Sequence, residues 1–506
     1  MTRAASVTRS AASLLTSRLL VAGIAMIFLG VSTRLLTLEE MAVFAVYNTF
    51  CGFLTVVCSL GLLATCIKKL PAMPSEGAPL LRVSLIVYGA GAAVVTCALW
   101  AGAAPISRVL LKTPDRAGDV RAAALTALCY GLYEASQLLL TAQQRFGRVG
   151  SYNVAAALVQ RVVSLALFFP FGLKGYLAGF ALGSLAGAGM GLATILPLAR
   201  GTPSEGGGSG WRWLSYSMPF YADGYLRYLY MHADQLLVGI FLTPADLSIY
   251  FVAKRFIQYC QVLVSSLVDP LGTKVAELRE TDPGAVSRAF AASLRYFVLL
   301  FVPLSVLLAC LSPFLLLVIG GDRYAAGALS LALLFLSLPL FALFSHLSVF
   351  VYALGPPRER LIANLSSVLA QAAGIVALMP WLGLAGLALA RLIGFGVAAV
   401  ATRARLDRYL PPPARSDEGS AGRIAMQAAG PTAAMALLML VPFLLTRQPA
   451  LLPLWAAPAG AVCLGGYLLM VLTRDDRAAL AALVPGQGSL ARVVRARIRG
   501  AGREAG

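Results

Sequence analysis

The chain has 506 residues, of which 59% are hydrophobic and 12% charged, where a soluble domain carries about 25% charged residues. That balance excludes an ordinary water-soluble fold. The formal net charge of +19 would suit a nucleic-acid binder, but its distribution argues against one, because the basic residues sit in the turns between apolar stretches and in the tails.

A membrane-spanning helix needs roughly 20 mostly apolar residues. In chain order such stretches fall near 17–36, 43–67, 80–101, 122–142, 151–170, 176–198, 217–242, 247–272, 290–319, 325–353, 361–380, 383–402, 425–446 and 451–472. The fold class expected is therefore all-α, a polytopic membrane protein of about fourteen transmembrane helices. Arg3 and Arg9 ahead of the first run resemble a secretory leader, but further spans follow at once, so an uncleaved first helix is expected. Most of the 41 Lys and Arg then fall on one side, at Lys68-Lys69, Arg145 with Arg148, Arg358 with Arg360, the run Arg403, Arg405 and Arg408, and the tail from Arg474 to Arg503. The positive-inside rule puts that side, and both termini, in the cytoplasm, where the basic residues also attract anionic lipid. The eight cysteines fall in or beside apolar stretches without metal-ligand or redox spacing. His232 and His346 are too far apart to argue for a metal. No cofactor is expected.

The two halves repeat. Leu36-Thr37-x-x-Glu40-x-x-x-Phe44 recurs as Leu242-Thr243-x-x-Asp246-x-x-x-Tyr250, and Asp115-Arg116 as Asp322-Arg323. Asn153, Gln160 and Gly172-Leu173-x-Gly175 recur as Asn364, Gln371 and Gly383-Leu384-x-Gly386. Each copy holds six spans, an even number, so the copies run parallel and two six-helix lobes related by an axis along the membrane normal are expected. The organisation read is an N-terminal lobe over 1–199, a linker at 200–212, a C-terminal lobe over 213–405, a linker at 406–424, an extra helix pair over 425–472 and a basic tail over 473–506.

Ionisable residues inside a bilayer are costly and face partners or a watery cavity. The seventh span carries Tyr221, Tyr225, Tyr228, His232 and Gln235 on one helical face and Asp223, Arg227, Tyr230 and Asp234 on a second. The eighth carries Lys254, Gln258, Gln261, Ser265 and Asp269, with Arg255 beside them. In the first lobe, Tyr130, Glu134, Gln137, Thr141 and Gln144 share a face of the fourth span, and Asn153, Gln160 and Arg161 follow in the fifth. Such stripes serve either as helix-to-helix glue, with Asp223 or Asp234 neutralising Arg227, or as the wall of a cavity. The bases Arg18, Arg161, Arg227, Lys254, Arg255 and Arg391 outnumber the acids Glu134, Asp223, Asp234 and Asp269, so a cavity would suit an anion. Arginine offers paired donors matched to phosphate or carboxylate.

Arg34-Leu-Leu-Thr-Leu-Glu-Glu-Met-Ala-Val-Phe44, Ser59-Leu-Gly-Leu-Leu-Ala64 and Lys69-Leu-Pro71 resemble the opening of bacterial polysaccharide transporters of the O-antigen flippase type. So do Tyr216-Ser-Met-Pro219, Ala233-Asp-Gln-Leu-Leu-Val-Gly239, Ile319-Gly-Gly-Asp-Arg-Tyr-Ala-Ala326, Ala353-Leu-Gly-Pro356 and Met379-Pro-Trp-Leu-Gly-Leu-Ala-Gly386. Over roughly residues 10 to 405 their order resembles the multidrug, oligosaccharidyl-lipid and polysaccharide (MOP) exporter superfamily, except that Met41-Ala42 stands where the family pattern usually has Tyr-Gly. The resemblance implies a flippase, not an enzyme, that carries an undecaprenyl-diphosphate-linked oligosaccharide across the bacterial cytoplasmic membrane. It implies Arg18, Arg161, Tyr225, Arg227, Tyr228, His232, Lys254, Arg255, Gln258 and Arg391 as substrate contacts, and Glu134, Asp223, Asp234 and Asp269 as candidates for a coupling proton or Na⁺. Partners would be membrane lipids and polysaccharide polymerase and chain-length proteins. A cation-coupled drug or metabolite antiporter of the same fold and a non-transporting scaffold in a secretion complex are the competing readings.

Overall fold

The computed structural model describes residues 20–70, 77–143, 146–199, 211–410, 429–441, 444 and 447–466. The expected linkers at 200–210 and 411–424, the tail and Arg18 lie outside them. Among the described residues the fold is helical throughout, with no strand. The first lobe comprises α1 (Leu20–Leu35), α2 (Leu38–Ser59), α3 (Leu62–Lys69), α4 (Gly77–Ala101), α5 (Ala103–Leu110), α6 (Ala117–Ala142) and α7 (Phe146–Ala199). The second comprises α8 (Trp211–Phe241), α9 (Pro244–Thr281), α10 (Pro283–Gly320), α11 (Ala328–Leu336), α12 (Leu338–Leu354) and α13 (Pro357–Leu406). The extra pair is α14 (Ala429–Val441) and α15 (Leu452–Gly466).

Among the described residues, seven helices are long and apolar enough to cross a membrane by length and composition. Two of them, α7 and α13, hold two expected spans each, joined by a kink instead of a loop. At those kinks Gly172 and Gly383 take φ of 59° and 52°, a left-handed conformation open to glycine at no steric cost. The kinks occupy equivalent positions of the two copies, as do the helix starts. Thr37 caps α2 and Thr243 caps α9, each in a reciprocal box with the acid three residues on, Glu40 and Asp246, which satisfies two orphan backbone donors per helix. The sequence repeat is thus a repeat of turn and kink chemistry, and the parallel two-lobe plan follows it.

Apolar side chains cover the outer faces. Phe169, Val376 and Trp381 are 76%, 77% and 86% exposed, an arrangement that only a lipid surround stabilises, and the protein is a multi-pass membrane protein. The extra pair packs on α10 through Cys310, Met435, Met439, Ala459 and Cys463.

The polar helices α8 and α9 fall outside the seven because of their charges, and the packing explains why they tolerate them. One face of α8 lies against α2 of the opposite lobe: Tyr228 and His232 sit on Gly52, and the Gln235 amide donates to Ala45 O at 2.8 Å and Thr49 Oγ1 at 3.1 Å. The other face lies against its own lobe, with Tyr230 packed on Phe344 and Phe395. Neither polar face of α8 is turned wholly to lipid.

Candidate functional site

The lobes meet along α2, α8 and α9, and they touch at both ends. At the end away from Lys68-Lys69, Thr33 Oγ1 donates to Ile319 O at 2.5 Å, Arg34 to Val318 O at 2.8 Å and Arg323 to Thr33 O at 3.2 Å. At the basic end, Ser217 Oγ donates to Leu60 O at 2.7 Å. There the chain breaks between α2 and α3, with Leu60 and Gly61 in the left-handed region at φ of 44° and 76°. A Cβ at Gly61 would stand 2.4 Å from Ser217 O, so glycine permits the approach. Lys68 Nζ lies 5.2 Å from the Phe220 ring centroid and 5.9 Å from that of Tyr352, and Lys69 Nζ lies 4.8 Å from that of Tyr216.

Between these closures the expected residues separate into three groups. In the second lobe Asp234, fully buried, is the centre of an ionic cluster. Its Oδ1 accepts from Lys254 Nζ at 2.6 Å, and its Oδ2 from Arg391 Nη1 at 2.9 Å and from Tyr250 Oη at 2.8 Å. Lys254 and Arg391 are each 1% exposed. Three helices are tied together here, and the cluster carries one net positive charge. Asp223 also faces α13, where Asn364 Nδ2 donates to it at 2.6 Å and Arg360 pairs with it at 3.2 Å. The expectation that Asp223 or Asp234 neutralises Arg227 is therefore corrected: both are paired with other residues, and Arg227 is exposed. Asp269 lies in α9, within its helical stretch.

The second group is a pair of arginines from opposite lobes. Arg161 of α7 and Arg255 of α9 lie within electrostatic reach of one another, and Arg161 also of Tyr130, Tyr176 and Tyr259. Both are half-buried, and each guanidinium rests on a ring, Arg161 5.7 Å from the Phe28 centroid and Arg255 4.9 Å from that of Phe251. Arg255 Nη1 donates to Gln258 Oε1 at 3.0 Å. Neither arginine has a carboxylate partner among the described residues. Two half-buried guanidiniums without counter-ions, within a fold that neutralises Asp234 twice over, constitute an anion site that takes one arm from each lobe.

The third group surrounds Glu134. Its Oε2 accepts from Thr55 Oγ1 at 2.7 Å, and no cation pairs with it among the described residues. Tyr88 Oη, buried without a partner, lies over Gly131 one turn away on the same helix. Tyr130 is within electrostatic reach of both Glu134 and Arg255, and Tyr133 of both Glu134 and Arg161.

The aromatic face of α8 divides. Tyr228 and His232 stack on each other, with ring centroids 5.0 Å apart, and against α2, whereas Tyr225 is 37% exposed. Sequence reasoning missed Tyr250, Thr55 and Arg360 as partners of the three acids. The repeat of Phe44 as Tyr250 was a signal for the first, since the copies place a ring at one position and only the second adds a hydroxyl. Among the described residues, no three His, Cys, Asp or Glu side chains gather as a metal site would require.

The fold is shared with solved transporters. A lipid II flippase, MurJ, in an inward closed conformation superposes with a TM-score of 0.69 at 14% identity, over 92% of this chain and 97% of that one. An inward-facing multidrug resistance MATE family transporter of the MOP superfamily gives 0.63 at 14% identity, over 79% and 98%. A MOP superfamily transporter from Pyrococcus furiosus, described as having a binding pocket of reverse polarity, gives 0.58 at 14% identity, over 79% and 95%. No curated protein matches in sequence. The family model described as polysaccharide biosynthesis protein matches residues 31–328, more than half of the chain. By that match and by the fold, the chain is a member of the polysaccharide biosynthesis protein family, within the MOP transporter superfamily.

Proposed function

We propose that this transporter is a flippase for a polyprenyl-diphosphate-linked oligosaccharide, undecaprenyl diphosphate being the carrier, in the bacterial cytoplasmic membrane, with the basic end and both termini on the cytoplasmic side. The observation that carries the reading is the pair Arg161 and Arg255, one from each lobe, without carboxylate partners. A diphosphate and its hydroxylated sugars cannot cross hydrocarbon unaided, while the polyprenyl tail can remain in it. The protein has to supply only a polar path open sideways to lipid. Arginines contributed by both lobes would hold the anion while rocking of one lobe against the other exchanges the open side.

In this reading Arg161, Arg255 and Gln258 take the diphosphate, Tyr225 and Arg227 border its path, and Tyr228 and His232 form the seam that must part. Lys254 and Arg391 hold Asp234 and give the second lobe its rigidity. Glu134, with a single hydroxyl partner, is the carboxylate free to take up a coupling cation, whereas Asp223 and Asp234 are occupied by side chains. Polysaccharide polymerase and chain-length proteins would act on the delivered product.

The test is leaflet-resolved transport of labelled undecaprenyl-diphosphate-linked sugar by purified protein in vesicles. The wild type should move it, and Arg161→Gln with Arg255→Gln should abolish transport while leaving the thermal midpoint intact. No transport by the wild type would favour the scaffold reading, and an altered drug-resistance profile in an expressing strain would favour the antiporter.

A further inference from the structure

Lys68 and Lys69 end α3, on the side where most cations lie. Among the described residues neither has a carboxylate partner, and both rest on rings of the other lobe: Lys68 on Phe220 of α8 and Tyr352 of α12, Lys69 on Tyr216 of α8. The Tyr352 ring has a second cation, Arg360, 5.2 Å from its centroid, so one ring serves a lysine of the first lobe and an arginine of the second. Tyr352 and Tyr216 are 43% and 37% exposed and Lys68 is exposed. This seam therefore opens to the membrane surface. Its remaining ties are the Ser217 hydrogen bond to Leu60 and the backbone approach at Gly61. The end away from the lysines is closed differently, by hydrogen bonds from Thr33, Arg34 and Arg323 to backbone carbonyls, which no anion can replace.

We propose that the basic seam is a capture site for the phosphates of a lipid head group, and that phosphate opens it by taking Lys68 and Lys69 from their rings. A cation over an exposed ring is held weakly, whereas an ammonium on a phosphate oxygen makes a short, charge-assisted hydrogen bond. A diphosphate at the membrane surface offers several such oxygens at once, and Arg360, on the far side of Tyr352, stands ready for one of them. Binding therefore competes with the contacts that close the seam, and the ligand admits itself. The site lies at the surface, apart from Arg161 and Arg255. It rests on the flippase reading only for the identity of the lipid.

Hydrogen–deuterium exchange of the full chain in phosphatidylcholine nanodiscs tests this, read over residues 60–70 and 213–222. Undecaprenyl diphosphate in the bilayer should speed exchange in both segments by about fivefold, an opening that reports a shift toward the parted state. Parallel arms with phosphatidylglycerol and with inorganic pyrophosphate separate the sources. Opening by the diphosphate lipid alone identifies the lipid-borne head group, and opening by pyrophosphate as well shows that phosphate suffices without a tail. In Lys68→Met with Lys69→Met both segments should exchange fast before any addition and respond to none. Tyr352→Leu, which keeps both lysines, should raise the starting rate and retain the response. An unchanged rate in the wild type with every phosphate, or a lysine variant that responds like the wild type, overturns the proposal. If the seam stays shut while vesicles still transport labelled lipid-linked sugar, the capture site fails and the flippase reading stands.

Discussion

The lobes are built on one plan and differ in how they treat a carboxylate placed among their helices. In the second lobe Asp234 receives a lysine, an arginine and a tyrosine from two neighbouring helices. In the first, Glu134 receives one threonine hydroxyl. A buried ion pair stabilises little relative to apolar packing, but removing one member strands the others at considerable cost. The second lobe therefore has a fixed charge arrangement that rewards rigidity. The first keeps a carboxylate whose charge state can change without breaking any ion pair.

The largest effect that would sharpen this contrast is Asp234→Ala, which leaves Lys254 and Arg391 buried without a counter-ion. It should cost about 3–5 kcal/mol, seen as loss of folded yield and a lower thermal midpoint. A stable, active Asp234→Ala protein would break the contrast. Glu134→Gln, by comparison, should change stability by less than about 1 kcal/mol yet slow transport about tenfold, equivalent to about 1.4 kcal/mol, and flatten its dependence on pH in vesicles. Equal stability losses at Glu134 and Asp234 would show that the lobes do not differ as argued. Gly61→Ala puts a Cβ against Ser217 O at a backbone angle that favours glycine. It should destabilise the closed basic end by about 1–2 kcal/mol, measured as faster exchange at that end and not at the other. The smallest effect concerns the tie between the ends of α13. The Arg405 guanidinium, 2.6 Å from Glu359 Oε2, holds that carboxyl below the usual range. Its contribution is present at neutral pH, above the ordinary carboxyl value of about 4.3, and is lost as the pH falls through the lowered value. With Arg405→Gln the carboxyl returns toward its ordinary value, so the loss should begin at a higher pH in an acid-unfolding titration.

Much of the scaffold was legible because local chemistry writes it. Thr37 with Glu40 and Thr243 with Asp246 announce helix starts, and Gly172 and Gly383 mark equivalent places where the chain turns back. That those two glycines kink continuous helices was not legible, since a glycine between apolar runs reads equally as a loop. Helical spacing also assigned the polar residues of α8 to two faces. It could not say what each face meets. The partner of Asp223 comes from Arg360 and Asn364, and that of Asp234 from Lys254 and Arg391. Except for Lys254 these lie more than 130 positions along the chain, and only the fold brings them near. Lys68 and Lys69 were read solely as markers of sidedness, because a cation held by aromatic rings leaves no signature along the sequence.

The single-residue kinks at Gly172 and Gly383 bear on how the protein meets its surroundings. On the side away from the lysines, the α1–α2 and α8–α9 connections are as short as Leu36-Thr37 and Leu242-Thr243, and the kinks bring α7 and α13 back with no loop at all. At these four connections that face is nearly flush. A protease or an antibody finds little there to grip, and an epitope tag placed at either glycine would have to break a helix to be seen.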